Sequence, residues 1–428
     1  MDPAILSVLI IGIALVLFFV PKIPIALTSI LAMVAMPLFG LTSYSSAFGG
    51  FANQAVLLIA GMAVVAQALV DTGVAQKIGT LVTKLTRDSE ALFILFCLVF
   101  GCALSSVING ALVVAILLPI CDSLVISSKG KITRKHCYLP IGLSGPMGNN
   151  LTAISASSMV TCVGVMVDAG YRGLSVFEPT LIALPALILT IVVYMLVIYP
   201  LSKKWLDYPD PAIIGASDVV DTTTAEYKAA HPVWKQVFSV VVLVAAIVAM
   251  VCGINWGAAS LIAACVVVLA GCVEKKRALG CISWSTIIIA AASIGFSAGL
   301  KDSGGGALVA EWLVGIAGPL GQSAFGMCFV MFVVANIISQ LMSDSGSVAC
   351  TVPITISIAS AMGWDPVPLI IATAMGVKVA LATPMCVSCV TMAAPGGYRF
   401  KDYVKIGGLV TITQAVGILA MIFFVYYI

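Results

Sequence analysis

Leu300-Lys301-Asp302-Ser303-Gly304 closes one apolar span, and a later apolar stretch is interrupted at Met342-Ser343-Asp344-Ser345-Gly346 before it runs into Val352-Pro353-Ile354. The first half of the chain carries the same order: Leu69-Val70-Asp71-Thr72-Gly73, then Ser105-Ser106-Val107-Ile108-Asn109-Gly110-Ala111, then Leu118-Pro119-Ile120. The two sets are offset by 231 residues at the Asp and 234 at the Pro. Interrupted apolar segments in corresponding places of two halves point to a transporter whose binding site lies near the bilayer midplane. A secondary transporter is therefore the first expectation.

Composition bounds the class. With 61% hydrophobic and 9% charged residues and a mean hydropathy of +1.16, the 428-residue chain has too little polar surface for a water-soluble globule. An integral membrane protein, of the bacterial cytoplasmic (inner) membrane, is expected. Apolar runs of about 17 to 25 residues recur, the length that crosses roughly 30 Å of hydrocarbon as helix. They are continuous rather than alternating, which excludes an outer-membrane barrel. The first run, 3-20, has no basic n-region and is followed at once by another, so it reads as a retained span and not a cleaved signal. The 13 cysteines are scattered through apolar segments, where Cys acts as a small hydrophobe. Cys386 and Cys389 stand close together, but with no second pair and no nearby His neither a disulfide framework nor a metal centre is expected. The formal charge of +3 says little about partners, and no nucleic-acid partner is expected.

The fold class expected is an all-α polytopic membrane protein of two inverted repeats, each with five spans and one re-entrant hairpin. Residues 1-200 form the first repeat, with spans near 3-20, 23-40, 54-71, 138-165 and 177-200 and a hairpin over 91-127. Residues 235-428 form the second, with spans near 235-253, 256-273, 283-300, 367-394 and 405-428 and a hairpin over 324-362. Residues 201-234 are a polar cytoplasmic linker, too short for a domain. Basic residues fix the orientation: with both termini outside and both hairpins returning to their own side, eighteen of the 21 Lys and Arg face the cytoplasm. Arg172 and Lys301 lie outside, and Lys378 falls within a span. Five crossings per repeat is an odd number, so the second repeat starts from the opposite side and is inverted.

These motifs resemble those of the divalent anion/sodium symporter (DASS) family of the ion transporter superfamily, over nearly the whole chain. That family has a Ser-Asn-Thr-like motif at each hairpin tip, and the matching slots are Asn109-Gly110-Ala111 before Pro119 and Ser343-Asp344-Ser345 before Pro353. Its first broken span matches Gly148-Asn149-Asn150-Leu151-Thr152-Ala153-Ile154-Ser155-Ala156-Ser157-Ser158, its second Thr383-Pro384-Met385-Cys386-Val387-Ser388. Its ending matches Pro395-Gly396-Gly397-Tyr398-Arg399-Phe400-Lys401-Asp402-Tyr403. The resemblance implies uptake or exchange of a small di- or tricarboxylate such as succinate, malate or citrate, by an elevator motion within each protomer of a homodimer. It implies a substrate site of Asn109, Ser155, Ser157, Ser343, Asp344, Ser345, Thr383 and Lys378. It also implies a cation site of Asn109, Gly148, Asn149, Asp344 and Cys386.

The physical reason for such residues is that an unwound helix in hydrocarbon must find partners for its freed backbone groups, so breaks persist only where they line a cavity. Helix N-termini offer N–H groups to an anion, and freed carbonyls suit Na⁺. No other cofactor is expected. Two departures from the family pattern stand out. Asp344 replaces a neutral Asn, and a carboxylate deep in a bilayer must be protonated, cation-bound or paired. Lys378 has three roles open to it: facing Asp344, binding a substrate carboxylate, or standing in for a sodium ion. Gly110 and Ala111 remove side-chain oxygens from the first tip. Na⁺ coupling is the family default, with H⁺ coupling or exchange left open. Na⁺/H⁺ antiport through Asp344 and transport of sulfate or another oxyanion are the alternatives. An enzyme is not expected, since His136 and His231 are the only histidines and no hydrolase or zinc-protease motif occurs.

Overall fold

A computed structural model of the chain describes residues 2–18, 20, 22–74, 89–128, 131–211, 232–341, 344–383 and 388–428. Its described elements are helical. In the first half they are α1 (Pro3–Phe18), α2 (Ile25–Leu38), α3 (Gln54–Asp71), α4 (Glu90–Ser105), α5 (Gly110–Ser127), α6 (Arg134–Gly148), α7 (Ser157–Asp168) and α8 (Thr180–Trp205). The second half has α9 (Val233–Val251), α10 (Trp256–Leu269), α11 (Trp284–Asp302), α12 (Gly305–Ala317), α13 (Ala324–Leu341), α14 (Asp344–Met362), α15 (Pro366–Lys378), α16 (Ser388–Thr391) and α17 (Phe400–Tyr426). Seven of the described helices are long and apolar enough to cross a membrane, α13 and α14 among them.

Local chemistry explains the boundaries. Asn53, Asn109, Asn255 and Asp365 each accept a backbone N–H of the helix that follows, capping α3, α5, α10 and α15. The repeated Asp-x-Gly is a helix stop: Gly73 and Gly304 have φ of +82° and +75°, the left-handed C-terminal turn that a side chain would strain. Asp71 accepts from Gln67 and pairs with Arg277, while Asp302 accepts from Thr42, so both carboxylates are engaged at helix ends.

Packing is mirrored between the halves. Helices α1 and α2 pair as α9 and α10 do, α2 packs on α11 as α10 packs on α3, and α8 packs on α17. Within the first half, α4 and α5 lie against each other and both against α6; in the second half α13, α14 and α15 repeat that arrangement. Close approach rests on small residues, as in other membrane helix contacts. At Gly61 of α3 an added Cβ would stand 2.6 Å from the Ser260 backbone of α10, so only glycine fits there.

Candidate functional site

The first interruption is built by three elements. Residues 106–109 join α4 to α5, and Asn109 Oδ1 accepts from Ala111 N at 2.9 Å, which fixes where α5 begins. Gly110 lies against α6: a Cβ there would be 2.8 Å from the Gly145 backbone. Helix α6, which carries Pro140 and Pro146, ends at Gly148, and residues 149–156 run non-helically to α7. Ser155 Oγ donates to the Asn149 carbonyl at 2.9 Å, answering one of the acceptors freed by the break, and Thr152 Oγ1 donates to the Ser106 carbonyl, tying the break to the tip.

Asn109, Ser155 and Ser157 line one cavity of about 300 Å³. The N-termini of α5 and α7 both open on it, and its far wall comes from Gln67 of α3 with Ser283 and Thr286 at the start of α11. Its described lining contains hydroxyls, amides and apolar groups but no charged side chain. Such a cavity can hold an anion by backbone N–H groups, helix-end partial charge and hydroxyls.

The second interruption is charged. Lys378, the last residue of α15, places Nζ 2.6 Å from Oδ2 of Asp344, the first residue of α14, and the two side chains are 8% and 14% exposed. Ser339 Oγ donates to Asp344 Oδ1 at 3.3 Å, and Thr383 Oγ1 donates to the Gln340 carbonyl at 2.8 Å. Ser345 sits beside Asp344 on the first turn of α14, half-buried. Ser343 and Cys386 lie outside the described residues.

The predicted residues thus fall into two groups, one lining a cavity and one around an ion pair. They are linked crosswise. Helix α7, which follows the first break, packs on α14 and α15; α16, which follows the second, packs on α5 and α6. At Gly145 an added Cβ would meet Cys389 Sγ of α16 at 3.0 Å and the Gly110 carbonyl at 3.1 Å, so the first tip and the second break share a neighbour. Two predicted ligands have a packing or capping task visible in their geometry. Gly148 lets α6 approach α4, since a Cβ would stand 2.2 Å from the Cys102 carbonyl, and Asn109 Oδ1 is engaged as the α5 cap. Asn149 Oδ1, by contrast, is buried with no hydrogen-bond partner.

Gln67, Ser283 and Thr286 were not anticipated. They belong to unbroken spans or their ends, where a lone polar residue carries no local signal. A larger cavity of about 350 Å³, lined by Ser45, Asp168, Lys301, Asp302 and Ser357 among others, contains none of the predicted residues.

The profile of a family described as citrate transporter (CitMHS) matches residues 13–426. An uncharacterized transporter, YfbS of Escherichia coli, is 31% identical over 137 residues, 32% of this chain and 22% of that protein. Sodium/sulfate cotransporter 2 of Chlamydomonas reinhardtii is 26% identical over 153 residues, 36% of this chain and 17% of that protein. The chain spans about a quarter or less of the length of these curated relatives. Two solved structures share the fold: the YdaH transporter of Alcanivorax borkumensis, with a TM-score of 0.64 at 13% identity, covers 99% of this chain and 98% of its own. MtrF of Neisseria gonorrhoeae, which illuminates a class of antimetabolite efflux pumps, has a TM-score of 0.58 at 12% identity and covers 100% and 96%.

Proposed function

This chain belongs to the citrate transporter family, a family of membrane transporters and not of enzymes, and from that premise we propose that it is a secondary active transporter of small di- or tricarboxylates. The carrying observation is the cavity at the first tip, where two helix N-termini, Ser155, Ser157 and Asn109 converge without a charged side chain. Neutral donors can bind a carboxylate strongly enough to select it and weakly enough to release it, whereas an Arg clamp would hold it.

The mirrored packing supports two inverted repeats, with α4–α5 and α13–α14 as re-entrant hairpins and ten crossings between outside termini. In this reading the hairpins and broken spans form a unit that slides past a frame of α1–α3 and α9–α11, in each protomer of a homodimer in the cytoplasmic membrane. Gln67, Ser283 and Thr286 then belong to the frame, so the cavity lies on the sliding surface, where an elevator binds its cargo. A coupling cation, Na⁺ or H⁺, sits at the tip and break beside the anion. Antiport of Na⁺ against H⁺ through Asp344 is disfavoured by the 2.6 Å pairing with Lys378, which leaves no free carboxylate to exchange.

Counterflow in proteoliposomes tests the reading. Liposomes loaded with citrate or succinate should accumulate the labelled anion, and sulfate-loaded liposomes should not. Accumulation of sulfate alone would move the substrate to the inorganic oxyanions, and no counterflow of any of the three would refute anion exchange by this chain.

A further inference from the structure

The start of α17 is two-sided. Lys401 and Lys405, four residues apart, are exposed together with Phe400 and Val404, while Asp402, Tyr403 and Ile406 fill the buried side behind them. The end of α8 meets the exposed side: Lys405 Nζ stands 5.4 Å from the centroid of the Trp205 ring, and Lys203 Nζ stands 4.5 Å from that of Tyr199. Lys204, between them in sequence, is exposed as well.

The charge of this patch is largely unanswered. Glu90 stands 3.7 Å from Lys203 but already accepts from Thr133 and Tyr199, and Asp402 Oδ2 accepts the Arg399 amide at 2.8 Å, capping its own helix. Asp207 is exposed two residues beyond Trp205. Among the described residues Lys204, Lys401 and Lys405 form no ion pair. Other basic residues at the same ends of the helices are engaged: Arg277 by Asp71, Arg134 by Asp122, Lys235 by the Gly271 carbonyl and Lys135 by the Tyr208 carbonyl.

Beyond the patch both helices present apolar side chains outward. Leu196 and Val197 of α8 are 72% and 45% exposed, and Ile412 and Val416 of α17 are each 61% exposed. Lysines at the water end of an apolar track, with Trp and Tyr rings among the ammonium groups, suit a phosphate headgroup whose acyl chains follow the track. A soluble anion would gain nothing from the apolar part.

We propose that the ends of α8 and α17 form a seat for one anionic phospholipid of the cytoplasmic leaflet, its phosphate held by Lys204, Lys401 and Lys405. The choice of leaflet rests on the orientation in the transporter reading; the binding does not. Helix α17 packs on α15 and α8 packs on α6, so the seat belongs to the unit that carries the broken spans. A lipid held there resists movement of that unit away from the cytoplasmic surface, because the lysines would have to leave the headgroup layer.

Native mass spectrometry of the purified full chain in detergent, titrated with dioleoyl phosphatidylglycerol or dioleoyl phosphatidylcholine, tests the seat without transport. Wild type should bind its first phosphatidylglycerol at least about tenfold more tightly than phosphatidylcholine, the order expected for two or three lysines at an anionic headgroup. Lys401→Gln with Lys405→Gln, both exposed positions, should bring the two lipids to near-equal affinity. Lys275→Gln with Lys276→Gln, on the loop before α11, removes the same charge and should keep the preference. Equal binding of both lipids by wild type, equal loss in the two double variants, or displacement of phosphatidylglycerol by inorganic phosphate would overturn the proposal. Absence of anion counterflow with the lipid preference intact would instead remove the transport reading and leave the seat.

Discussion

Lys378 and Asp344 meet at 2.6 Å across the gap between the end of α15 and the start of α14, with Lys378 buried and the Asp344 side chain 14% exposed. A buried pair is weak as a stabiliser but costly to halve, because the partner left behind is an uncompensated charge. Asp344→Asn and Lys378→Met should each lower stability by about 3–5 kcal/mol, and the double variant should regain most of that. Thermal unfolding in detergent measures all three. Independent, additive losses would show that the two charges do not act as a pair.

Gly110 makes a second prediction, on packing. Its absent Cβ would stand 2.8 Å from backbone atoms of Gly145, which cannot swing aside as a side-chain tip can. Gly110→Ala should therefore push the first tip off α6, costing about 1–3 kcal/mol, the usual range for overpacking. Transport should fall with it, because Asn109 and the start of α5 move out of the cavity wall. Full counterflow activity in Gly110→Ala would show that tip and α6 need not touch.

How much of this was legible in the sequence depended on repetition. The Asp-x-Gly stops, the paired tips and the Gly148 break could be read because each occurs with a counterpart. The pairing of Lys378 with Asp344 was one of three options that charge alone left open; only the approach of α15 to α14 decides among them. Gln67, Ser283 and Thr286 were not legible, because each is a single polar residue with no periodicity around it, recruited by packing between halves. Nor was the neutral task of Asn109 as a cap distinguishable from ligand duty, since both need the same side-chain oxygen.

Lys301 gives a prediction about motion. Its Nζ donates to the Ala169 carbonyl at 3.1 Å, linking the end of α11 to the end of α7. A cation at a helix C-terminus contributes about 0.3–1 kcal/mol. If α7 moves and α11 does not, this contact favours the present conformation and is lost in the other. Lys301→Ala should then reduce the population of this conformation by roughly two- to fivefold, the equivalent of that energy. Distances between labels on α7 and α11, followed by single-molecule fluorescence, measure it; an unchanged distribution would show that the contact is made in both conformations or in neither.

Tyr398 joins the far ends of the two broken spans. Its hydroxyl donates to the Lys135 carbonyl at 2.7 Å and accepts from the Leu139 amide at 2.8 Å, so it stands between the acceptor and the donor of one turn of α6. Pro140 follows immediately and has no N–H to give, which leaves this turn of α6 short of hydrogen bonds. The residues just before the linker's undescribed part add to the joint: Asp210 accepts from the amides of Arg134 and Lys135 at 3.1 and 2.9 Å, and Tyr208 donates to the Gly396 carbonyl at 3.0 Å. The segment after the second break is thereby fastened to the start of the first broken span, which is what a unit moving as one body requires. Tyr398→Phe keeps the ring and removes both bonds, and should cost about 1–2 kcal/mol, the worth of one to two buried hydrogen bonds. Hydrogen exchange should then rise at the amides of residues 135–139 more than at α8 or α17. A uniform rise across the helices would mean that Tyr398 contributes only global stability, and exchange unchanged at 135–139 would show that α6 closes its own turn without the hydroxyl.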